Sequence, residues 1–169
     1  ALAPAPSPLP EPTPAPEPIE LTMVTAFGEN YPSVEMAHRF RNKVNERAAG
    51  ELIISYLGGP EVIPAFDQAD AVSTGVFDIG YNVAGYYTGL VPEATLSLSR
   101  AVNPAEERVR GFHDFMVETH KKKLNSYYLG RPGWMMQHYM WLNEPAETPE
   151  DLAGRPIRVS GSNAEWAGA

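Results

Sequence analysis

The sequence predicts an α/β fold built on a parallel β-sheet. Stretches rich in β-branched residues alternate with stretches in which apolar residues recur every three or four positions. The order strand, helix, strand, helix, strand over residues 19–81 is typical of a parallel sheet, because parallel neighbours need a crossover connection. With 169 residues, 43% of them hydrophobic, the chain is long enough to bury a core.

The first strand, first helix and second strand are predicted at residues 19–26, 33–50 and 52–57. Ser33 can cap the start of the helix, and Gly50 suits the position after its end. One face of this helix is apolar and should pack on the sheet. It carries Val34, Ala37, Phe40, Val44 and Ala48.

A second helix is predicted from Pro64 to Thr74, and a third strand from Val76 to Tyr81. Gly75 separates the two elements and is a usual helix stop. The inward face of this helix carries Phe66, Ala69 and Val72. These elements complete the predicted parallel unit.

A long helix is predicted from Asn103 to Lys123. Asn103 is a good cap, Pro104 suits the first turn, and the lysines at the far end complement the helix dipole. A one-turn helix is predicted at residues 148–151, with Gly154 as its stop. The remaining predicted elements are strands at 127–129, 135–142 and 156–160 and a helix at 162–169.

Residues 1–18 differ in composition from the rest of the chain. Every even position from Pro4 to Pro18 is proline, and such a run favours an extended chain that cannot build a core. We interpret it as a linker that holds the folded part away from a surface, with a ligand for a proline-recognising domain as the alternative. Ala1-Leu2-Ala3 has the form of a signal-peptide remnant, or is an ordinary alanine-rich tail.

Composition excludes several classes of function. The net charge of −8 argues against nucleic acid as a partner, because phosphates would be repelled. The chain has no cysteine, which removes thiol catalysis, thiolate metal sites and disulfides. No run approaches the roughly 18–20 apolar residues that span a membrane, so we expect no direct membrane insertion.

The sequence carries no motif of a known catalytic centre, such as a nucleophile elbow, a phosphate-binding loop or a zinc-protease helix. His113 and His120 fall on one predicted helix and could share a face. Without a third ligand nearby, we expect them to be solvated instead of binding a metal. We therefore predict no catalytic residue, no metal and no cofactor.

Arg158 is the first candidate for ligand binding. In the predicted strand it points away from the face shared by Ile157 and Val159. An arginine in this setting can hold a carboxylate through two parallel hydrogen bonds. The alternative is a solvent-exposed strand arginine.

From Leu21 onward the chain resembles the DctP-like solute-binding proteins of tripartite ATP-independent periplasmic (TRAP) transporters. Three segments carry the resemblance: Gly50–Ile54, Gly75–Gly80 and, most distinctively, Pro149–Val159. The resemblance implies a two-lobed sandwich of the class II periplasmic-binding-protein type, incomplete in this sequence. Residues 19–129 would then form the first lobe, and residues 130–169 would begin the second.

The resemblance also implies roles for individual residues. Arg158 matches the arginine that forms the salt bridge to the substrate carboxylate. His138 falls where many members carry a second basic residue, and its being histidine puts a second anion contact in doubt. Gln137 is an alternative donor, and Trp134 of the same segment is a further candidate.

Three more candidates lie in the loops after the predicted strands and in the second predicted helix. Phe27 and Phe66 would line the pocket with apolar surface, and Asn82 would form a hydrogen bond to the ligand. Each has an alternative as an ordinary packing or turn residue. An apolar lining favours a small, moderately hydrophobic acid.

The function that the resemblance implies is capture of a small organic acid in the periplasm and its delivery to the membrane subunits of a TRAP transporter. Two alternatives from other classes stay open. The chain could be the ligand-sensing domain of a receptor with the same fold, held on the proline-rich linker. It could also be an α/β enzyme that uses His138.

Overall fold

A parallel three-stranded sheet is the centre of the computed structural model, which describes residues 17–97, 103–132 and 141–159. Its strand order is β2-β1-β3, and both strand pairs are parallel. The strands are β1 (Ile19–Thr25), β2 (Leu52–Gly58) and β3 (Ile79–Tyr81). The α-helices are α1 (Val34–Arg47), α2 (Gln68–Ser73), α3 (Pro104–Val109) and α4 (Phe112–Leu124). The predicted α/β class with a parallel sheet is confirmed.

Three short 3₁₀ helices complete the described elements: Ala84–Tyr86, Pro92–Ser97 and Pro149–Leu152. The last confirms the predicted one-turn helix near Thr148. The amides of Glu147 and Thr148 both donate to Oδ2 of Asp151 at 2.9 Å, and Gly154 follows with a left-handed φ of 75°. Among the described helices, none is long and apolar enough to cross a membrane.

The side chain of Asp78 fastens the start of β3 to β1. Its Oδ2 accepts hydrogen bonds of 2.7 Å from the amide and the hydroxyl of Thr22, which lower the pKa of this carboxyl. β3 is shorter than the predicted Val76–Tyr81. The amide of Val76 donates to the carbonyl of Ala71, so the residues before Ile79 complete the turn after α2 and do not extend the strand.

Helix α1 packs on the sheet through Val34 and Ala37, which are buried, while Phe40 is 40% exposed. Phe40 lies at the margin of the apolar stripe and turns away from the sheet. Ser33 precedes the helix but its side chain forms no capping hydrogen bond, so its predicted capping role was wrong. The side chain of Asn45 binds both main-chain groups of Ile54 in β2: Oδ1 accepts from N at 2.8 Å, and Nδ2 donates to O at 3.1 Å.

The predicted helix from Asn103 to Lys123 is two helices. Asn103 caps α3 by accepting a hydrogen bond from the amide of Glu106 at 3.0 Å, as expected. Gly111, with a φ of 77°, breaks the helix before α4 begins. A second core forms around α4 and the 3₁₀ segment before it, and contains Val91, Ala94, Phe112, Met116 and Leu124.

The predicted strand 127–129 does not form, because its residues are held against α3 and α4 and pair with none of the strands in the described part of the chain. Arg108 donates to the carbonyl of Leu129 at 3.0 Å, and Lys121 lies 5.0 Å from the ring centre of Tyr127. Residues 156–159 also lack regular structure. The predicted strand 135–142 falls largely outside the described residues, as do the predicted helix 162–169 and most of the proline-rich segment.

Candidate functional site

A cleft of about 1130 Å³ lies along β3 and reaches residues 125–132. Ligands of open parallel sheets bind outside the carboxyl ends of the strands, where the strand order reverses. In this sheet that point lies between β1 and β3. The loops that leave these two strands begin side by side, since the amide of Ala26 donates to the carbonyl of Tyr81 at 2.9 Å. The cleft therefore lies where ligands usually bind in open parallel sheets.

Four aromatic rings stand at these strand ends, and we call them the aromatic row. Tyr31 stacks on Phe27 with ring centres 4.6 Å apart and planes 15° from parallel. Tyr86 lies 6.2 Å from Phe27 and 4.5 Å from Phe66. The rings come from the loops after β1, β2 and β3, so three separate segments converge there.

Two predicted pocket residues belong to this row. Phe27 lines the cleft, and its contact with a ligand stays a prediction. Phe66 was predicted on the inward face of a helix, but it precedes α2 and is 63% exposed. α2 begins only at Gln68, so the helical spacing used to place Phe66 does not apply to it. Tyr31 and Tyr86 were not predicted, because a single tyrosine in a loop carries no periodic signal.

Asn82 lines the cleft, but its amide also serves the protein itself. Its Nδ2 donates to the carbonyl of Ala65 at 2.9 Å, and its Oδ1 accepts from the amide of Val83 at 2.6 Å. Asn82 therefore joins the loop after β3 to the loop after β2. This arrangement holds the aromatic row together.

Gln68 is a polar residue of the cleft wall that the sequence analysis missed. It is fully buried, and its Nε2 donates to the carbonyls of Thr25 at 2.7 Å and Ile63 at 3.3 Å. Its Oε1 has no hydrogen-bond partner among the described residues, and the same holds for Ser33 Oγ and Tyr128 OH. A buried polar atom without a partner costs about 1–3 kcal/mol. The only sequence signal was a polar residue one position before the inward-facing Ala69.

His120 and two tyrosines form a neutral cluster at the far side of the cleft. His120 Nδ1 lies 2.8 Å from the carbonyl of Met116, and its Nε2 lies 3.3 Å from the hydroxyl of Tyr87. Burial lowers the pKa of His120, and burial raises the pKa of Tyr128 to about 12. His113 and His120 are both buried, so the expectation that they are solvated was wrong. The ring of Tyr128 lies against both histidines, with ring centres 5.7 Å from that of His113 and 5.1 Å from that of His120, and shields them from solvent.

The cationic group in the described wall of the cleft is already neutralised. Arg131 lines the cleft, and its guanidinium binds the buried carboxylate of Glu107 at distances of 2.7–3.1 Å. Within the described ranges, no cluster of three or more histidine and acidic side chains could hold a metal ion. Asp78 also lines the cleft, and its carboxylate accepts hydrogen bonds from Thr22. The rest of this wall offers apolar and neutral polar contacts.

Among the predicted anion-binding residues, the structure describes only Arg158. Arg158 is exposed in a segment without regular structure and does not line the cleft. His138, Gln137 and Trp134 lie outside the described residues. Their roles stay predictions.

Comparison with known proteins gives a consistent picture. The family described as bacterial extracellular solute-binding protein, family 7 (DctP), matches residues 23–168. A TRAP periplasmic solute-binding protein from Pseudoalteromonas atlantica, solved with bound sodium and pyruvate, is similar with a TM-score of 0.68 and 20% identity. The similarity covers 88% of this chain and 47% of that one.

Two further solved structures are similar. One is an apo open TRAP periplasmic solute-binding protein from Rhodobacter sphaeroides, with a TM-score of 0.61, 22% identity and coverage of 80% and 45% of the two chains. The other, from Bordetella bronchiseptica, has calcium and picolinate bound. Its TM-score is 0.54, its identity 21%, and the coverage 64% and 34%. The chain thus spans less than half the length of these solved proteins, and they show its fold to be of the periplasmic-binding-protein type.

Proposed function

The chain belongs to family 7 of the bacterial extracellular solute-binding proteins, and from this premise we propose that it captures a small organic acid in the periplasm and delivers it to the membrane subunits of a TRAP transporter. The match over residues 23–168 is the observation that carries the proposal. The acids bound by two of the similar proteins, pyruvate and picolinate, are both small carboxylates. They support a carboxylate as the class of ligand.

Arg158 is our candidate for the group that binds the carboxylate. A guanidinium can give a carboxylate two parallel, charge-assisted hydrogen bonds, each contributing about 1.5–3 kcal/mol. We propose that His138, Gln137 and Trp134 lie beside it and provide neutral contacts. Phe27 and Asn82 line the described wall of the cleft, and we propose that Phe27 gives the ligand apolar surface while Asn82 positions the loops. Phe66 does not line the cleft but lies against Tyr86, and we propose it as further apolar surface at the margin.

The proposed role is capture and release without a chemical step. The two groups of the described wall that could act as a base are both engaged: His120 is buried against Tyr87, and the carboxylate of Asp78 accepts hydrogen bonds from Thr22. Closure of two lobes over the acid would exclude water from the arginine–carboxylate pair and strengthen it. Substrate selectivity would then follow from what surrounds the pair.

The test is a thermal-shift and calorimetric titration of the mature protein against a panel of organic acids, repeated with Arg158→Ala. An acid at a hundred times its Kd should stabilise the protein by about 2.7 kcal/mol. Loss of the buried pair should weaken binding by about 3–5 kcal/mol, which is on the order of a hundredfold or more. Arg47→Ala, which removes an exposed arginine at the end of α1, is the matched control and should bind as the parent does. If no acid binds, the proposed function is wrong; if Arg158→Ala binds as tightly as the parent, only the role of Arg158 is wrong.

A further inference from the structure

The aromatic row is more open to solvent than a packing role requires. Tyr31 is 54% exposed and Phe66 is 63% exposed, although each stacks on or lies against another ring. Single exposed apolar side chains are ordinary, but contiguous exposed aromatic surface on a soluble protein usually marks a binding site. The row also stands where the strand order reverses, and Phe27 and Tyr31 line the cleft.

The pair Phe27–Tyr31 has the geometry of a stacking surface. Its planes are 15° from parallel at a centre-to-centre distance of 4.6 Å, and Tyr31 keeps about half of its surface exposed to solvent. A third flat ring could extend this stack. The cationic group in this wall, Arg131, is held by Glu107. The carboxylate of Asp78, which also lines the cleft, would repel an anion. This side of the cleft is therefore suited to contact the uncharged end of an acid.

Resting on the proposed function, we propose that the ligand is an aromatic or similarly planar conjugated carboxylate, whose ring stacks on Tyr31 with Phe27 behind it. Aromatic pairs contribute about 0.5–1.5 kcal/mol beyond the area that they bury. A flat ring should thus bind about three- to tenfold more tightly than a saturated ring of the same size and charge. Tyr31 is then a residue that determines specificity, while the carboxylate is bound elsewhere.

The experiment is calorimetric titration of the mature protein with benzoate and with cyclohexanecarboxylate, which match in carbon number and charge but differ in planarity. We expect benzoate to bind about three- to tenfold more tightly. Tyr31→Leu should remove that preference while both acids still bind, and Tyr31→Phe should keep it. Phe115→Leu removes a partly exposed ring on α4, outside the row, and should leave the preference unchanged.

The outcomes separate this inference from the proposed function. Equal binding of the two acids, or a preference that survives in Tyr31→Leu, overturns the role of the rings. If acetate or pyruvate binds but benzoate does not, the ligand class is wrong and acid capture stands. If none of these acids and no other carboxylate of the panel binds, both proposals fall.

Discussion

The substitution Glu107→Ala tests how much a buried ion pair contributes to the stability of the protein. Glu107 and Arg131 form an ion pair between α3 and the segment after α4, with a shortest distance of 2.7 Å. Their side chains are only 4% and 15% exposed, so both charges are largely withdrawn from water. Glu107→Ala would leave the guanidinium of Arg131 buried without this partner.

The magnitude follows from that burial. Loss of one partner of a buried pair costs about 3–5 kcal/mol, because the remaining charge is uncompensated. A domain of ordinary stability has a free energy of unfolding of about 5–15 kcal/mol, so Glu107→Ala should remove roughly a fifth or more of it. Glu106 is the matched control, because it is the preceding residue of α3 and pairs with Arg110 on the exposed side of the helix. Glu106→Ala should cost only about 0.2–1 kcal/mol.

Urea denaturation followed by circular dichroism measures both free energies of unfolding. The double variant Glu107→Leu/Arg131→Met removes both charges and should be more stable than Glu107→Ala, since no buried charge is left alone. The reasoning is refuted if Glu107→Ala costs no more than Glu106→Ala. It is equally refuted if the double variant is less stable than the single one.

Two further predictions concern stability. Asn103→Ala removes the side-chain cap of α3 and should lower the free energy of unfolding by about 1 kcal/mol in the same urea assay, whereas Asn103→Ser should retain most of it; equal losses in both variants would contradict a capping role. Burial lowers the pKa of His120 below its unfolded value of 6.5, so its contribution to stability is fully present above that pH and is lost as the pH falls through the folded pKa. Urea midpoints measured from neutral to mildly acidic pH should therefore fall less steeply in His120→Asn than in the parent, and parallel profiles would show that His120 does not cause the fall.

Local patterns in the sequence were sufficient for the elements that are set by local physics. The strand at β1, the apolar stripe of α1 and the cap at Asn103 depend on neighbouring residues alone, and the structure has them close to the expected positions. The break at Gly111 was not predicted, because a glycine inside a helical pattern does not by itself indicate a left-handed φ that ends the helix. The strand expected at 127–129 failed for another reason. A strand needs a hydrogen-bonded neighbouring strand, and which segments pair depends on contacts between residues far apart in the chain. The local composition does not specify such contacts.

In the candidate site, too, features set by neighbouring residues could be predicted and features set by long-range contacts could not. Phe27 was predicted as a pocket residue and lines the cleft, although its contact with a ligand is untested; the ring that stacks on it, Tyr31, was not predicted. Gln68 was missed because only the fold reveals that its amide reaches the carbonyl of Thr25 across the sheet. The sequence could suggest which loops follow the strands at the carboxyl edge of the sheet. It could not indicate which side chains of these loops would hydrogen-bond or stack with each other and which would remain available to a ligand.

The contact between Asn45 and Ile54 affects where another strand could pair with the sheet. In the part of the chain that the structure describes, β2 pairs with a strand on one side only, β1. On its other side the side-chain amide of Asn45 forms the two hydrogen bonds that the peptide group of a neighbouring strand would form. An incoming chain would have to displace this side chain before it could add beside β2, because the main-chain groups of Ile54 are already occupied. The block acts at Ile54 of the β2 edge, and no comparable contact is seen along β3 in the described residues.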